Sequence, residues 1–401
     1  MEGRAIVIGG SIGGLFAAAL LLRKGWDVEV YERAEVELTG RGAGIVTHRP
    51  LIDALEAAGA RTDDVGILVE KRVAYDRAGK VTHVLDLPQI VTSWDRLQTL
   101  IRATIPERRY RLGHWLDRFE VTADGVGAVF KNGHTIEADL IVGADGFRSS
   151  VRAQIFPEVQ PDYAGYVVWR GVANEADLTP DLLESVFRHF GFCLPEGDGQ
   201  MLGYPIAGAD NDLRVGHRRY HWGWYRVVES EALSDLLTDA RGVAHKISIP
   251  PPLVRRDIIA RLRAAARRAL APQFATLLDR VKAPFFTPVY DLAAPSMVSD
   301  RVAMVGDAAF LARPHIGAGV TKAAEDAVSL AQCLSAASGL QEGLTAYNAE
   351  RLKANRIAYD RARYLGEYLT PSYKNEAEKA AWARQHNIET ILRDTAVLNF
   401  Y

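Results

Sequence analysis

The chain has 401 residues, 48% of them hydrophobic and 24% charged, with a formal net charge of −2. That length supports a large core and two domains, and so even a charge excludes a nucleic-acid or anionic-membrane binder held by bulk electrostatics. The two cysteines, Cys193 and Cys333, lie far apart, which excludes a disulfide scaffold and a cysteine-cluster metal site; each reads as buried apolar filler, and no metal is expected.

Residues 5–22, AIVIGGSIGGLFAAALLL, run eighteen residues without a charge. Length alone admits a membrane span. Gly9, Gly10, Gly13 and Gly14 would weaken such a helix, and the opening Met-Glu-Gly-Arg lacks the basic start of a signal peptide. The stretch divides instead into a buried parallel strand over 4–8, a glycine turn, and a helix. Ile12, Leu15, Phe16, Ala19 and Leu22 share one helix face, and Gly25 closes it after a basic last turn. A second strand ends at Glu32. This is the order of a dinucleotide-binding unit, in which backbone approaches a pyrophosphate at a helix N-terminus. Gly9, Ser11 and Gly14 fill its three glycine places, and Glu32, 18 residues after Gly14, is placed to accept ribose hydroxyls. Ser11 departs from the pattern but stays small. With neither anchor nor leader in view, the expected location is cytoplasmic.

Further along, Gly-Arg-Gly-Ala-Gly-Ile-Val (40–46) is a glycine-rich loop and strand, and 50–60 reads as a helix. A strand pair turns at Ala78-Gly79, and an amphipathic helix covers 93–105 with Ser93 or Asp95 as its cap. Turns at Asp124-Gly125 and Asn132-Gly133 mark hairpins. They precede the apolar strand of DLIVGADG. From about 155 to 290 strands dominate, among them YVVWRGV, RHFGFCLP, QMLGYPIAG and DLRVGHRRYHWGWYRVV, which together suggest an antiparallel sheet. RVAMVGDAAFLARPHIGAG (301–319) then returns to strand, glycine loop and helix, and helices occupy 341–395.

Three separated segments thus end an apolar strand in a glycine and acid turn, as ligand sites of open α/β sheets require. They run from Gly9 to Glu32, from Asp139 to Arg152, and from Arg301 to Gly319. On these motifs the sequence resembles the single-component, FAD-dependent aromatic hydroxylases, the p-hydroxybenzoate hydroxylase-like group. Within that group, RGAGIVTHRP, YAGYVVWRGV and RRYHWGWYR look most like the 2,6-dihydroxypyridine 3-hydroxylase branch. The resemblance implies ADP binding through Gly9, Ser11, Ile12, Gly14, Glu32 and Arg33. It implies contacts from Arg41, Gly44, Arg96 and Asp145, with Asp307 on the ribityl chain and Pro314, Gly317 and Gly319 beside the isoalloxazine. Phe310 and Ala318 depart from the family's common His and Gln. The implied fold is α/β. A discontinuous Rossmann-like FAD-binding domain (1–70, 91–155 and 291–340) is interrupted by a mostly antiparallel substrate domain (71–90 and 156–290), with C-terminal helices over 341–401.

The implied reaction uses NADH or NADPH as a transient co-substrate and O2, through a flavin C4a-hydroperoxide, to hydroxylate a small aromatic substrate. No second nicotinamide motif is present. Histidine suits the proton transfer near neutral pH. His48 and His315 are the catalytic candidates, and His217 and His221 are further titratable rings. Tyr204, His217, Trp222 and Tyr225 are expected to wall the substrate. Other phenolic or N-heteroaromatic rings of hydroxybenzoate, hydroxynicotinate or urate type stay open, as does a non-catalytic carrier on the same fold. Trp222 and Trp224 match part of a flavin-halogenase signature, but Val227-Val228 replaces its Ile-Pro. The apolar positions Trp382, Ile388, Ile391 and Leu392 suit packing on this chain or on a second copy in a homodimer.

Overall fold

The computed structural model describes residues 3–38, 43–195, 197, 199–371 and 374–398. The opening unit forms as its pattern dictates: strand Arg4–Ile8, helix Ile12–Arg23, strand Asp27–Tyr31. These strands belong to a six-stranded sheet ordered Val298–Ser299, Val302–Met304, Leu140–Gly143, Arg4–Ile8, Asp27–Tyr31 and Tyr110–Arg111. All neighbours pair in parallel except the edge strand Val298–Ser299. The three acid-bearing motifs therefore leave adjacent strands at the same end. Helix Ile12–Arg23 packs on helix Gly319–Ala336. The contact is close because Gly13 lacks a side chain; an added Cβ would lie 3.4 Å from that of Ala323.

The second sheet has nine strands, ordered Phe310–Leu311, Phe285–Ala293, Asp162–Asn174, Arg219–Val227, Gln200–Ile206, Phe190–Cys193, Ile67–Tyr75, Val81–Ser93 and Gly44–Val46. Only Phe190–Cys193 with Ile67–Tyr75 pairs in parallel. Residues 67–70 and 91–93, expected with the nucleotide-binding part, are the ends of strands in this sheet. The expected hairpins build a separate three-stranded sheet of Leu116–Val121, Val126–Phe130 and Thr135–Ala138.

Alternation sorts each long strand of the large sheet between two faces. Tyr220, Trp222 and Trp224 face a core shared with helices Arg256–Ala269 and Pro272–Arg280. Tyr166, Val168, Tyr204 and Tyr225 face the other way, toward a core that includes Ile391, Leu392 and Ala396 of the C-terminal segment. The strand expected from Asp212 begins only at Arg219. Before it the chain turns at Gly216 (φ +88°), and Glu175 accepts from the Gly216 and Arg218 amides, so no ladder forms.

The C-terminal helix Ile388–Asp394 packs on its own chain. Arg72 is fully buried on strand Ile67–Tyr75 and stands over Phe190 at 4.9 Å. It donates to the carbonyls of Leu392 and Thr395, each at 2.6 Å, and to Gln89 at 2.7 Å. Burial lowers this guanidinium to about 9. Replacing it by Ala leaves two buried carbonyls unpaired and a void, at a cost of about 2–5 kcal/mol. We expect Arg72→Ala to lower the melting temperature and speed amide exchange across 388–396; unchanged exchange there would show that the segment is held by other means.

Candidate active site

The glycines of the first turn are sterically required. Gly9 adopts φ +107°, and a Cβ there would lie 2.4 Å from the Ala144 carbonyl oxygen; one on Gly14 would lie 1.9 Å from that of Gly9. Ser11 makes no side-chain capping bond and the first turn of the helix holds no acid, so its amides can receive an anion. Glu32 is buried and accepts from the Gly10 and Ala34 amides at 2.8 and 2.9 Å, one on each oxygen. Each oxygen keeps a lone pair for a hydroxyl.

A cleft of about 240 Å³ opens here, lined by Ser11, Glu32, Arg33, Trp115, Asp145 and Ser150 among others. Trp115, unmarked by any sequence motif, lies under Arg33 (5.7 Å) and Lys131 (4.1 Å). A wider groove of about 1020 Å³ runs beside Arg4, Glu29 and Arg111, whose charges are cross-paired at 3.1 Å.

Asp145 serves partly as a turn residue: one carboxylate oxygen accepts from the Ser150 and Val151 amides at 2.6 and 3.3 Å. Its other oxygen is buried and has no hydrogen-bond partner among the described residues. Burial pushes its pKa up, against the pull of these hydrogen bonds. Arg152 donates to the carbonyl of Ala308 at 2.9 Å and so ties the second motif to the third. There Gly306 turns with φ +66°, its amide held by Asp326 at 3.0 Å. Asp307 follows and makes no hydrogen bond among the described residues. Burial raises its pKa, Lys322 opposes, and Asp326 adds.

The loop beyond carries Pro314, Gly317 (φ +59°) and Gly319 to the second sheet. Gly319 opens an 18-residue helix without side-chain cap or first-turn acid, and a Cβ there would meet nothing within 4 Å. His315 stacks on Tyr225 with 4.4 Å between centroids, and its Nε2 lies 3.0 Å from the Tyr166 hydroxyl. Tyr166 in turn faces Arg313, which forms a bidentate pair with Asp291 at 2.8 and 2.6 Å. Tyr204 and His221 pack edge to face at 5.3 Å, directly over Gly44.

His48 lies 3.0 Å from Thr321 Oγ1 through Nδ1 and 3.2 Å from the Ala396 carbonyl through Nε2. A carbonyl only accepts, so Nε2 carries the proton and Nδ1 takes the Thr321 hydroxyl; both nitrogens are occupied.

Two expected substrate residues are not brought to this face. Trp222 sits one residue out of phase, on the helix-covered side against Gly171. His217 is in the loop before the strand, 57% exposed and 3.5 Å from Asp212. Arg96 donates to the carbonyls of Asp64 and, at 2.9 Å, of Asn211. Arg41 lies outside the described residues. Among the described residues no cluster of metal ligands occurs and no helix is long and apolar enough to cross a membrane.

Two uncapped helix N-termini, the orphan oxygen of Asp145, the free carboxylate of Asp307 and the open space at Gly319 fit a dinucleotide-linked flavin. Asp307→Ala should weaken FAD binding by about 10- to 100-fold, the worth of a bond to a charged group, as read by quenching of flavin fluorescence; equal affinity would remove Asp307 from the site. Burial lowers His48 to about 4, and His221 and His315 to about 3. Unfolded histidine titrates near 6.5, so as pH falls below that value the unfolded chain binds protons the native chain refuses. The melting temperature should hold above about pH 7 and decline steadily toward pH 4, and His221→Asn should shallow that decline.

A family model described as FAD binding domain-like matches residues 163–291. The 2,6-dihydroxypyridine 3-monooxygenase of Paenarthrobacter nicotinovorans is 30% identical over 381 residues, covering 95% of each chain. The 6-hydroxynicotinate 3-monooxygenase of Pseudomonas fluorescens is 26% identical, covering 89% of this chain and 90% of its own. The solved 2,6-dihydroxypyridine-3-hydroxylase from Arthrobacter nicotinovorans superposes with a TM-score of 0.86 at 29% identity, over 93% of this chain and 95% of that one. With its glycine and acid turns on adjacent strand ends and this likeness along its length, the chain belongs to the FAD-dependent aromatic monooxygenases.

Proposed function

We propose that the protein hydroxylates a hydroxylated aromatic ring, a hydroxypyridine foremost, using NAD(P)H and O2 in the cytoplasm. The stacking of His315 on Tyr225 at 4.4 Å carries this reading, because it docks the third motif's loop onto a buried aromatic sheet face. The likeness to the 2,6-dihydroxypyridine 3-monooxygenase along 95% of both chains supports the choice of ring. Bound FAD would supply electron transfer from NAD(P)H and activation of O2.

Gly9, Gly14 and the first-turn amides would hold the cofactor's pyrophosphate, Glu32 its ribose, and Asp145 and Asp307 its polyol. The chain's remaining tasks are to exclude water, orient the ring and manage one proton. The rings of Tyr166, Tyr204 and Tyr225 and the segment at Ala396 close the face to solvent. His315 is neutral and oriented by Tyr166, so it is the group fitted to take the ring's proton. Its low basicity rises when an anionic ring stands beside it. His48, with both nitrogens occupied, holds the C-terminal segment in place.

The test is aerobic NADH and NADPH consumption by the FAD-loaded protein with hydroxypyridines, hydroxynicotinates and hydroxybenzoates, with product masses read in parallel. A hydroxypyridine should accelerate consumption and gain one oxygen, and His315→Ala should cut that product by about 100-fold. Peroxide without oxygenated product from every ring would overturn the ring assignment. No flavin reduction under any condition would overturn the hydroxylase reading.

A further inference from the structure

Gly223 interrupts the inward face of the nine-stranded sheet. Its partners across the ladder are Arg170 on one side and Leu202 on the other. Two positions away along the strands stand His221 opposite Tyr204, and Tyr225 opposite Gln200. Side chains two residues apart on a strand are separated by about 7 Å, so no side chain of this strand stands between the His221 and Tyr225 rings. An added Cβ at Gly223 would meet only ordinary contacts, Val168 Cγ1 at 3.5 Å and Leu202 Cδ1 at 3.8 Å.

Three polar groups on the strands around Gly223 have no hydrogen-bond partner among the described residues. His221 Nδ1 and Gln200 Nε2 are buried and make no hydrogen bond, in residues only 5% and 1% exposed. Arg170 is half-buried and forms no ion pair or hydrogen bond among the described residues. Its charge nonetheless reaches the neighbouring rings: burial raises Tyr204 and Tyr225 and lowers His221, and Arg170 opposes the first two shifts and adds to the third. The other cations of this face are already engaged, Arg313 by Asp291 and Arg72 by the Leu392 and Thr395 carbonyls. Buried polar groups in a native fold have partners. A guanidinium and an amide N–H on the two strands that flank Gly223 match a ligand that brings its own anionic oxygen.

We propose that Arg170 is the specificity-determining cation of the substrate site, holding the ring by an oxyanion over Gly223 with Gln200 and His221. The assignment rests on the ring-hydroxylase reading and narrows it: the site takes rings carrying an ionised hydroxyl or a carboxylate, and rejects their neutral counterparts. Arg170 favours the ionised form of a ring hydroxyl by opposite charge, which is also the electron-rich form. Sequence position alone gave no sign of this, because nothing distinguishes Arg170 from its neighbours within YAGYVVWRGV; its register opposite Gly223 singles it out.

The test is titration of the FAD-loaded protein with 2,6-dihydroxypyridine, nicotinate and 2,6-dimethoxypyridine, followed by perturbation of the flavin absorbance. The parent should bind an anionic probe at least about 30-fold more tightly than the dimethoxy ring, and Arg170→Gln should abolish that preference while Arg170→Lys restores part of it. FAD loading and melting temperature of both variants report folding. Loss confined to 2,6-dihydroxypyridine places the anion on a ring hydroxyl, and loss confined to nicotinate places it on a carboxylate; either supports the assignment. Unchanged affinity of Arg170→Gln for anionic rings overturns it and leaves the hydroxylase reading standing. A parent that binds no ring and shows no ring-stimulated NADH consumption overturns both.

Discussion

Asp326 is completely buried, and a buried carboxylate must be paired and hydrogen-bonded to remain charged. Arg351 and Asn355 each meet one of its oxygens at 2.8 Å; the Gly306 amide and the Lys322 ammonium meet the other at 3.0 and 3.7 Å. These partners come from a long C-terminal helix, from the turn after strand Val302–Met304, and from the helix of Asp326 itself. One desolvated charge therefore fixes three elements at once. The Gly306 turn cannot shift without breaking this set, so Asp307 is presented at the strand end in a single orientation. Lys322, buried and without a hydrogen bond among the described residues, pairs with Asp326 and opposes the repulsion that Asp326 exerts on Asp307.

The second junction is between the loop of His315 and the C-terminal segment. The Ala396 amide donates to the His315 carbonyl at 2.9 Å, and the Ala396 carbonyl accepts from His48 and, at 2.8 Å, from Gln89. Gly317 is needed here on two counts: its φ is positive, and a Cβ would fall 2.5 Å from that of Ala396. Residues near position 396 thus brace a loop more than seventy residues earlier in the chain. The same junction draws Arg72 and Gln89 from the sheet, so the loop, the sheet face and the chain terminus hold their places together.

Electrostatically, the protein's own rings on the aromatic face are neutral. His221 and His315 are desolvated and uncharged, and burial pushes the hydroxyls of Tyr166 and Tyr204 well above the usual phenol range. A medium of this kind strengthens any remaining charge. Against that background Arg170, unpaired among the described residues, is a strong local field, whereas Arg313 is cancelled by Asp291. The contrast between Arg170 and Arg313 comes from their partners, not from their residue type.

Read alone, the sequence determined the parts whose physics is local. The glycine places at Gly9 and Gly14, the acid at Glu32, the Ser93 cap, the hairpin turns and the alternating strands all follow from backbone sterics and periodicity within about twenty residues. The likeness carried by three motifs extended this to the family. What only the tertiary structure decided was register and partnership. Trp222 and Tyr225 look alike in a string of aromatics, yet a three-residue offset puts them on opposite faces of the sheet. His217 falls outside the strand because Glu175, more than forty residues away, binds the turn before it. His48 and His315 are equivalent candidates by type, and they part because one meets Thr321 and Ala396 while the other meets Tyr166 and Tyr225. Such contacts join residues separated by 41 to 348 positions, and no local pattern encodes them, because the free energy that selects them comes from burial of the whole assembly.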